Sequence, residues 1–245
     1  MKWKVLVQKF FNKFGYRLTK IRIGEQLPYT RNHPYSSYTY SPWFEKWFLD
    51  ILEQIKGNTL VSEDRCFSIH MFSQYCKHLE GDFAECGVYK GGTAFLISLI
   101  LKDGVANKKN LHLFDTFSGM PKSANEDNSH HEEGDYQDTS LEGVKEFLKD
   151  YPFIEFHPGL IPKTFDSVIN KKFAFVYIDV DIYQSIKDCC EFFYERMTKG
   201  GIMIFDDYGF QGYELAAKKA VDDFFIGKPE IPITLRNGQC LVLKI

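Results

Sequence analysis

Asp82-Phe-Ala-Glu85-Cys-Gly87-Val-Tyr-Lys-Gly91-Gly92-Thr93 runs from a short apolar segment through a glycine-rich turn into a helical pattern. Glycines let a backbone approach a ligand closely, and a helix start presents free N–H groups, so a strand, turn and helix in this order suit a nucleotide or amino-acid cofactor. The spacing is not the G-x-G-x-x-G of dinucleotide enzymes, which favours a cofactor without a pyrophosphate. The same stretch also serves as a tight strand-to-helix turn with no ligand. Either way it opens a βαβ unit.

The alternation continues outward. Strands are expected at Asp82 to Cys86, Asn110 to Phe114, Ile154 to Phe156, Phe173 to Ile178 and Gly201 to Phe205, with helices near 92–102, 140–149, 184–197 and 212–225. This predicts a parallel sheet covered by helices on both faces. Phe173-Ala-Phe-Val-Tyr-Ile178 is apolar throughout, as a strand buried on both faces should be. After the last long helix, Ile233 to Leu243 holds two β-like runs joined by Asn237-Gly238, a hairpin signal. The expected fold is therefore α/β, a doubly wound, mostly parallel Rossmann-like sheet with a C-terminal antiparallel hairpin, preceded by N-terminal helices.

Upstream, Trp3, Val7, Phe10, Phe14, Leu18 and Ile21 fall at three- and four-residue intervals, which predicts an amphipathic helix. The first 23 residues carry seven basic side chains and no acid, so removing them from the overall −3 leaves −10 on the remainder. A body that acidic excludes a general nucleic-acid binder. The basic helix either docks peripherally on the cytoplasmic face of an anionic membrane or packs on the chain's own body or a second copy, as in a homo-oligomer. Flotation with anionic vesicles separates these, because only membrane docking makes flotation depend on residues 1–27. Three regions follow: a basic helix over 1–28, a linker and cap helix over 29–58, and the catalytic domain over 59–245. The linker is rich in Tyr, Ser, Asn and Pro, and a helix is expected from Ser41-Pro42 to about Ile55. Another helical pattern opens at Ser62-x-x-Arg65 and ends near Gly81.

Six cysteines without a C-x-x-C pair, and no apolar run long enough to span a membrane, point to a reducing, cytoplasmic setting.

Three further constellations carry chemistry. Asp115 ends the second strand in Leu111-His-Leu-Phe-Asp115, where a carboxylate either accepts ribose hydroxyls or caps a helix. Asp179 and Asp181 follow the Phe173 strand, and Asp206 and Asp207 follow the next. Neighbouring strand ends would bring four carboxylates to one crevice, where mutual repulsion calls for a hard cation such as Mg²⁺, Ca²⁺ or Mn²⁺. The plainer alternative makes them helix caps and solvated acids. Last, Asn125 to Tyr136, containing His130 and His131, lacks helical metal-ligand spacing and is expected to be a lid whose histidines touch substrate.

Taken in order, Asp82-Phe-Ala-Glu-Cys-Gly-Val-Tyr-Lys-Gly-Gly92, Phe114-Asp-Thr-Phe117, Thr139-Ser-Leu-Glu-Gly-Val144, Pro158-Gly159 with Lys163-Thr-Phe165, Asp179-Val-Asp-Ile-Tyr183 and Asp206-Asp-Tyr208 make the chain resemble the macrocin O-methyltransferase family over roughly residues 59–226. These are metal-dependent sugar O-methyltransferases. The resemblance implies a class I methyltransferase fold with S-adenosyl-L-methionine and Mg²⁺ as cofactors and a small-molecule or glycan acceptor. It implies Asp179, Asp206 and Asp207 as metal ligands, Asp181 as general base, and cofactor contacts from Glu85, Gly87 and Asp115, to which the turn's Gly91 and Thr93 are added. The chain departs from the family where many members carry W-R-G-G, having Tyr89-Lys90-Gly91-Gly92, and has Gly159-Leu160-Ile161 in place of G-W-F. Both departures bear on substrate identity. Other functions open at this point are methylation of a catechol-like phenol, a non-catalytic protein retaining the fold, and an NAD-dependent oxidoreductase, the last disfavoured by the glycine spacing.

Overall fold

The apolar run Phe173–Ile178 becomes the central strand, buried along its whole length. The structure, a computed structural model, describes residues 7, 10, 11, 13, 14, 41–102, 109–122 and 131–245. Its strands are β1 (Asp82–Cys86), β2 (Leu111–Asp115), β3 (Ile154–Pro158), β4 (Phe173–Ile178), β5 (Met197–Phe205), β6 (Ile233–Thr234) and β7 (Cys240–Leu243). They form one sheet in the order β3-β2-β1-β4-β5-β7-β6. The first five are parallel, and β7 runs antiparallel to both β5 and β6. The expected doubly wound sheet with its C-terminal hairpin is the fold observed.

Side chains alternate across a strand, so successive residues feed different cores. Ala84, Cys86, Phe114, Val176, Ile178, Met203 and Phe205 point to one face. There they meet Ile186, Cys189 and Phe193 of α5 (Tyr183–Tyr194) and Ala220, Val221 and Phe225 of α6 (Lys219–Phe225). Phe83, Leu111, Leu113, Phe175, Tyr177, Ile202 and Ile204 point to the other. That face is covered by Ile69 of α2 (Glu63–Cys76), Ala94 and Ile97 of α3 (Gly92–Lys102) and Val144 of α4 (Leu141–Phe147). Ser140 caps α4, its hydroxyl accepting from Gly143 N–H at 3.1 Å. A smaller cluster joins Phe48 of α1 (Lys46–Gln54) and Ile55 to Cys66 and Leu96.

The chain divides into two compact units, Met1–Ser41 and Pro42–Ile245. In the first, Val7, Phe10 and Phe11 are helical. Lys13 and Phe14 form a turn, and the rest of the expected basic helix and the linker up to Tyr40 lie outside the described residues. The helix expected from Pro42 is split, with a 3-10 turn over Pro42–Phe44 before α1. The helix expected over 212–225 begins as a π-helical turn, Glu214–Lys218, and becomes α only at Lys219. Among the described residues no helix is long and apolar enough to cross a membrane, and all six cysteines are buried and free.

Candidate active site at the carboxyl ends of the strands

The parallel strands deliver their carboxyl ends to one side of the sheet, where a cavity of about 570 Å³ opens. Gly87, Val88, Tyr89, Thr93 and Asp115 line one part of it, and Asp179, Asp181, Asp206 and Asp207 another.

Gly87 leaves β1 with φ +86°, and a Cβ there would sit 1.8 Å from the Asp179 carbonyl oxygen. The turn thus packs directly on the end of β4, which Asp179 N–H reinforces by donating to Cys86 O at 2.8 Å. Gly92 serves a second close approach, to the backbone of Asn58. At Gly91 a side chain would press on Val144 of α4. Asp115 braces the turn: its Oδ2 accepts from Val88 N–H at 2.6 Å and Tyr89 N–H at 3.0 Å, and its Oδ1 from Phe117 N–H at 2.7 Å. A carboxylate has about four lone-pair sites; Thr116 Oγ1 lies 3.4 Å from Oδ1 but directs its one proton to Gly119 O at 2.6 Å, so one site remains for a further donor. Glu85 is fully buried and accepts from the Thr93 hydroxyl through Oε1, while its Oε2 has no partner. Burial, opposed by the Thr93 bond and aided by nearby Asp115, pushes its carboxyl up to about 8. A buried polar atom left unpaired beside a glycine turn fits a site built to receive a polar cofactor.

The four aspartates divide three to one. One oxygen from each of Asp179, Asp181 and Asp207 lies within 4.8 Å of the others. Asp206 instead faces Arg65 of α2, which pairs with its Oδ2, while its Oδ1 accepts from Tyr177 Oη at 2.9 Å and Gln239 Nε2 at 2.7 Å. All four aspartates follow the strand ends, and what sets Asp206 apart is that Arg65, Tyr177 and Gln239 converge on its carboxylate. Of the expected ligand set, Asp179 and Asp207 come together, joined by Asp181, while Asp206 lies beside this cluster and is linked to it through Tyr177 Oη, which is also 3.0 Å from Asp179 Oδ2. Burial and the neighbouring acids raise Asp179 well above the usual carboxylate range. Burial, then Asp181 and Asp206, push Asp207 up to about 8. Such mutually repelling, oxygen-only donors fit a hard divalent cation, whose charge would offset the repulsion.

Asp181 adopts φ +59°, an uncommon conformation for a residue with a side chain. Its Oδ1 accepts from Tyr213 Oη at 3.2 Å and lies 3.3 Å from His131 Nε2. His131 Nε2 is also 2.6 Å from Tyr213 Oη, and the Asp181 bond raises its pKa against the effect of burial. Of the two lid histidines, His131 thus reaches the carboxylates, and His130 lies outside the described residues. Arg65, Tyr177, Tyr213 and Gln239 were not among the sequence candidates. Only Tyr177 left a signal there, as a hydroxyl within an otherwise hydrocarbon strand.

The family model described as Macrocin-O-methyltransferase (TylF) matches residues 56–231. The chain is 26% identical over 167 residues to the 8-demethyl-8-(2,3-dimethoxy-alpha-L-rhamnosyl)-tetracenomycin-C 4'-O-methyltransferase of Streptomyces olivaceus, a match covering 62% of each protein. It is 29% identical over 140 residues to the mycinamicin III 3''-O-methyltransferase of Micromonospora griseorubida, covering 52% of this chain and 55% of that one. The chain thus spans less than two thirds of the length of these curated relatives. Among solved structures, the O-methyltransferase NovP superposes with a TM-score of 0.64 at 22% identity, covering 76% of this chain and 82% of that one. TomG of Streptomyces achromogenes, solved in complex with S-adenosylmethionine, shares the fold with a TM-score of 0.54 at 12% identity, covering 86% and 94%.

Proposed function

Since the chain belongs to the macrocin O-methyltransferase family, we propose that it transfers the methyl group of S-adenosylmethionine to a sugar hydroxyl of a glycoside, nucleotide sugar or surface glycan. The observation that carries this reading is the convergence of Asp179, Asp181 and Asp207 in the cavity bordered by the Gly87 turn. Relatives named as O-methyltransferases of a dimethoxy-rhamnosyl tetracenomycin C and of mycinamicin III support the sugar class.

The Gly87 turn would hold the cofactor, with Asp115 and Glu85 as acceptors for its hydroxyl and amino protons. Asp179 and Asp207 hold Mg²⁺ in this reading. When bound, the cation lowers the pKa of the acceptor hydroxyl and fixes its direction. A neutral hydroxyl must lose its proton as it attacks the sulfonium methyl, and Asp181 is the carboxylate that takes it. His131 and Tyr213 hold the Asp181 carboxylate in position from the lid side and from the start of the π-helical turn. Arg65, Tyr177 and Gln239 keep Asp206 fixed, which anchors the end of β5 beside the reacting groups.

Mass spectrometry of a panel of rhamnosyl glycosides and nucleotide-linked deoxysugars, incubated with the cofactor and Mg²⁺, should reveal a singly methylated product. In the same assay Asp181→Asn is expected to lower kcat by about 10²–10⁴-fold. An unaltered rate at saturating acceptor would remove Asp181 from the base role.

A further inference from the structure

On the opposite face of the sheet edge from the cofactor turn, none of His112, Glu155 and His157 lines the cavity. The register of β2 and β3 pairs His112 with Glu155 and Phe114 with His157, so all three side chains share one face. His112 is fully buried, and Glu155 remains about half exposed at the edge strand. His112 Nδ1 lies 3.0 Å from His157 Nε2 and 3.4 Å from Glu155 Oε2. We propose that His112 Nδ1, His157 Nε2 and Glu155 Oε2 form a binding site for a borderline transition-metal ion of the Zn²⁺ class, separate from the aspartate cluster.

The outer partners of each ligand are those a metal site needs. His112 Nε2 faces Asp82 Oδ2 at 3.2 Å, and Asp82 already accepts from Lys171 Nζ at 3.1 Å and Asn110 N–H at 3.0 Å. Asp82 therefore acts as an acceptor, which puts the His112 proton on Nε2 and leaves Nδ1 with a lone pair. His157 Nδ1 lies 2.9 Å from Ser167 Oγ, whose one proton is directed to Thr164 O at 3.0 Å. That arrangement places the His157 proton on Nδ1 and its lone pair on Nε2. Glu155 Oε1 is held by the Asn110 amide, so Oε2 is the oxygen turned to the rings. Three lone pairs then converge with nothing donated between them, which a cation resolves. Bonds of about 2.0–2.1 Å in a tetrahedral site imply ligand separations of roughly 3.3 Å, close to those found, and two imidazoles with one carboxylate suit Zn²⁺ rather than Mg²⁺. The ring of His157 stacks on Phe114 with centroids 4.5 Å apart, which fixes its orientation. An ion here would clip the edge strand β3 to β2 and leave its fourth position toward solvent beside Glu155.

Without a metal, the neutral side chains can instead form a relay: Ser167 donates to His157, His157 to His112, and His112 to Asp82. Titration of Zn²⁺ by calorimetry, and of Co²⁺ by its visible absorption, separates the two, with excess Mg²⁺ present throughout. The full chain should bind one ion with the absorption of a tetrahedral site. His157→Gln and Glu155→Gln should each weaken binding, the first by more than about 100-fold, and Ser167→Ala by about 10–100-fold through the lost outer partner. Asp207→Asn should leave it unchanged. Absence of binding to the unsubstituted chain would establish the hydrogen-bonded relay and overturn the proposal. So would binding that survives both ligand substitutions, or that disappears in Asp207→Asn.

Discussion

Asp179→Asn and Asp207→Asn are each expected to reduce methyl transfer by at least ~10³-fold while leaving S-adenosylmethionine affinity nearly unchanged. The magnitude follows from the several kcal/mol that a metal contributes to a developing alkoxide, with each tenfold in rate worth about 1.4 kcal/mol. Cofactor affinity is spared because the turn at Gly87 and the carboxylates of Glu85 and Asp115 lie on other strands. Steady-state rates with calorimetric cofactor titration measure both quantities on the same preparation. Full turnover in excess chelator would show that no metal is used. Asp206→Asn should behave differently. It strips the partner from Arg65, whose side chain is only 15% exposed, and breaking a buried pair from one side typically costs about 3–5 kcal/mol. A lowered melting temperature is therefore expected with Asp206→Asn, whereas at Asp179 and Asp207 removing a repelling charge should leave stability unchanged or raised.

Gly87→Ala is the second large effect, and it falls on folding. The added methyl would meet the Asp179 carbonyl at 1.8 Å, and both atoms belong to backbone held by the β1–β4 ladder, so neither yields cheaply. A φ of +86° adds the strain of a left-handed conformation to that overlap. Together these exceed about 4 kcal/mol, a loss large enough to leave a domain of ordinary stability unfolded or insoluble. Circular dichroism and urea unfolding of the variant provide the check. A cooperative transition at the unsubstituted midpoint would mean that the turn and β4 are not packed as described.

The difference between these substitutions shows what was legible in the sequence. The unbroken apolar run located β4 to the residue, as burial on both faces requires, and β1 was located by the glycine turn that ends it, although buried Glu85 interrupts its apolar residues. β5 was placed at Gly201, yet the strand begins at Met197: Lys199-Gly200 breaks the apolar run, and the pairing with β4 shifts register between Met197 and Ile202 while the strand continues. The hairpin's first strand shrank to Ile233–Thr234 for the opposite reason: its residues are exposed at the sheet edge and pair on one side only, with Leu241 and Cys240 of β7. At the site, motif spacing identified all four aspartates but not their division. Asp206 separates from Asp207 because Arg65 and Gln239 arrive from 141 and 33 residues away. No local pattern carries contacts of that range. The period-2 rule by itself would have grouped Asp179 with Asp181.

The most direct test of the central claim is calorimetric titration of S-adenosylmethionine into the purified chain, with and without Mg²⁺. The account predicts a single cofactor per chain in both conditions, because the Gly87 turn and Asp115 line the pocket, with Glu85 buried behind the turn, on strands other than those of the carboxylates that would hold the ion. Absence of binding in both would contradict it and leave a protein that keeps the fold without the methyl donor.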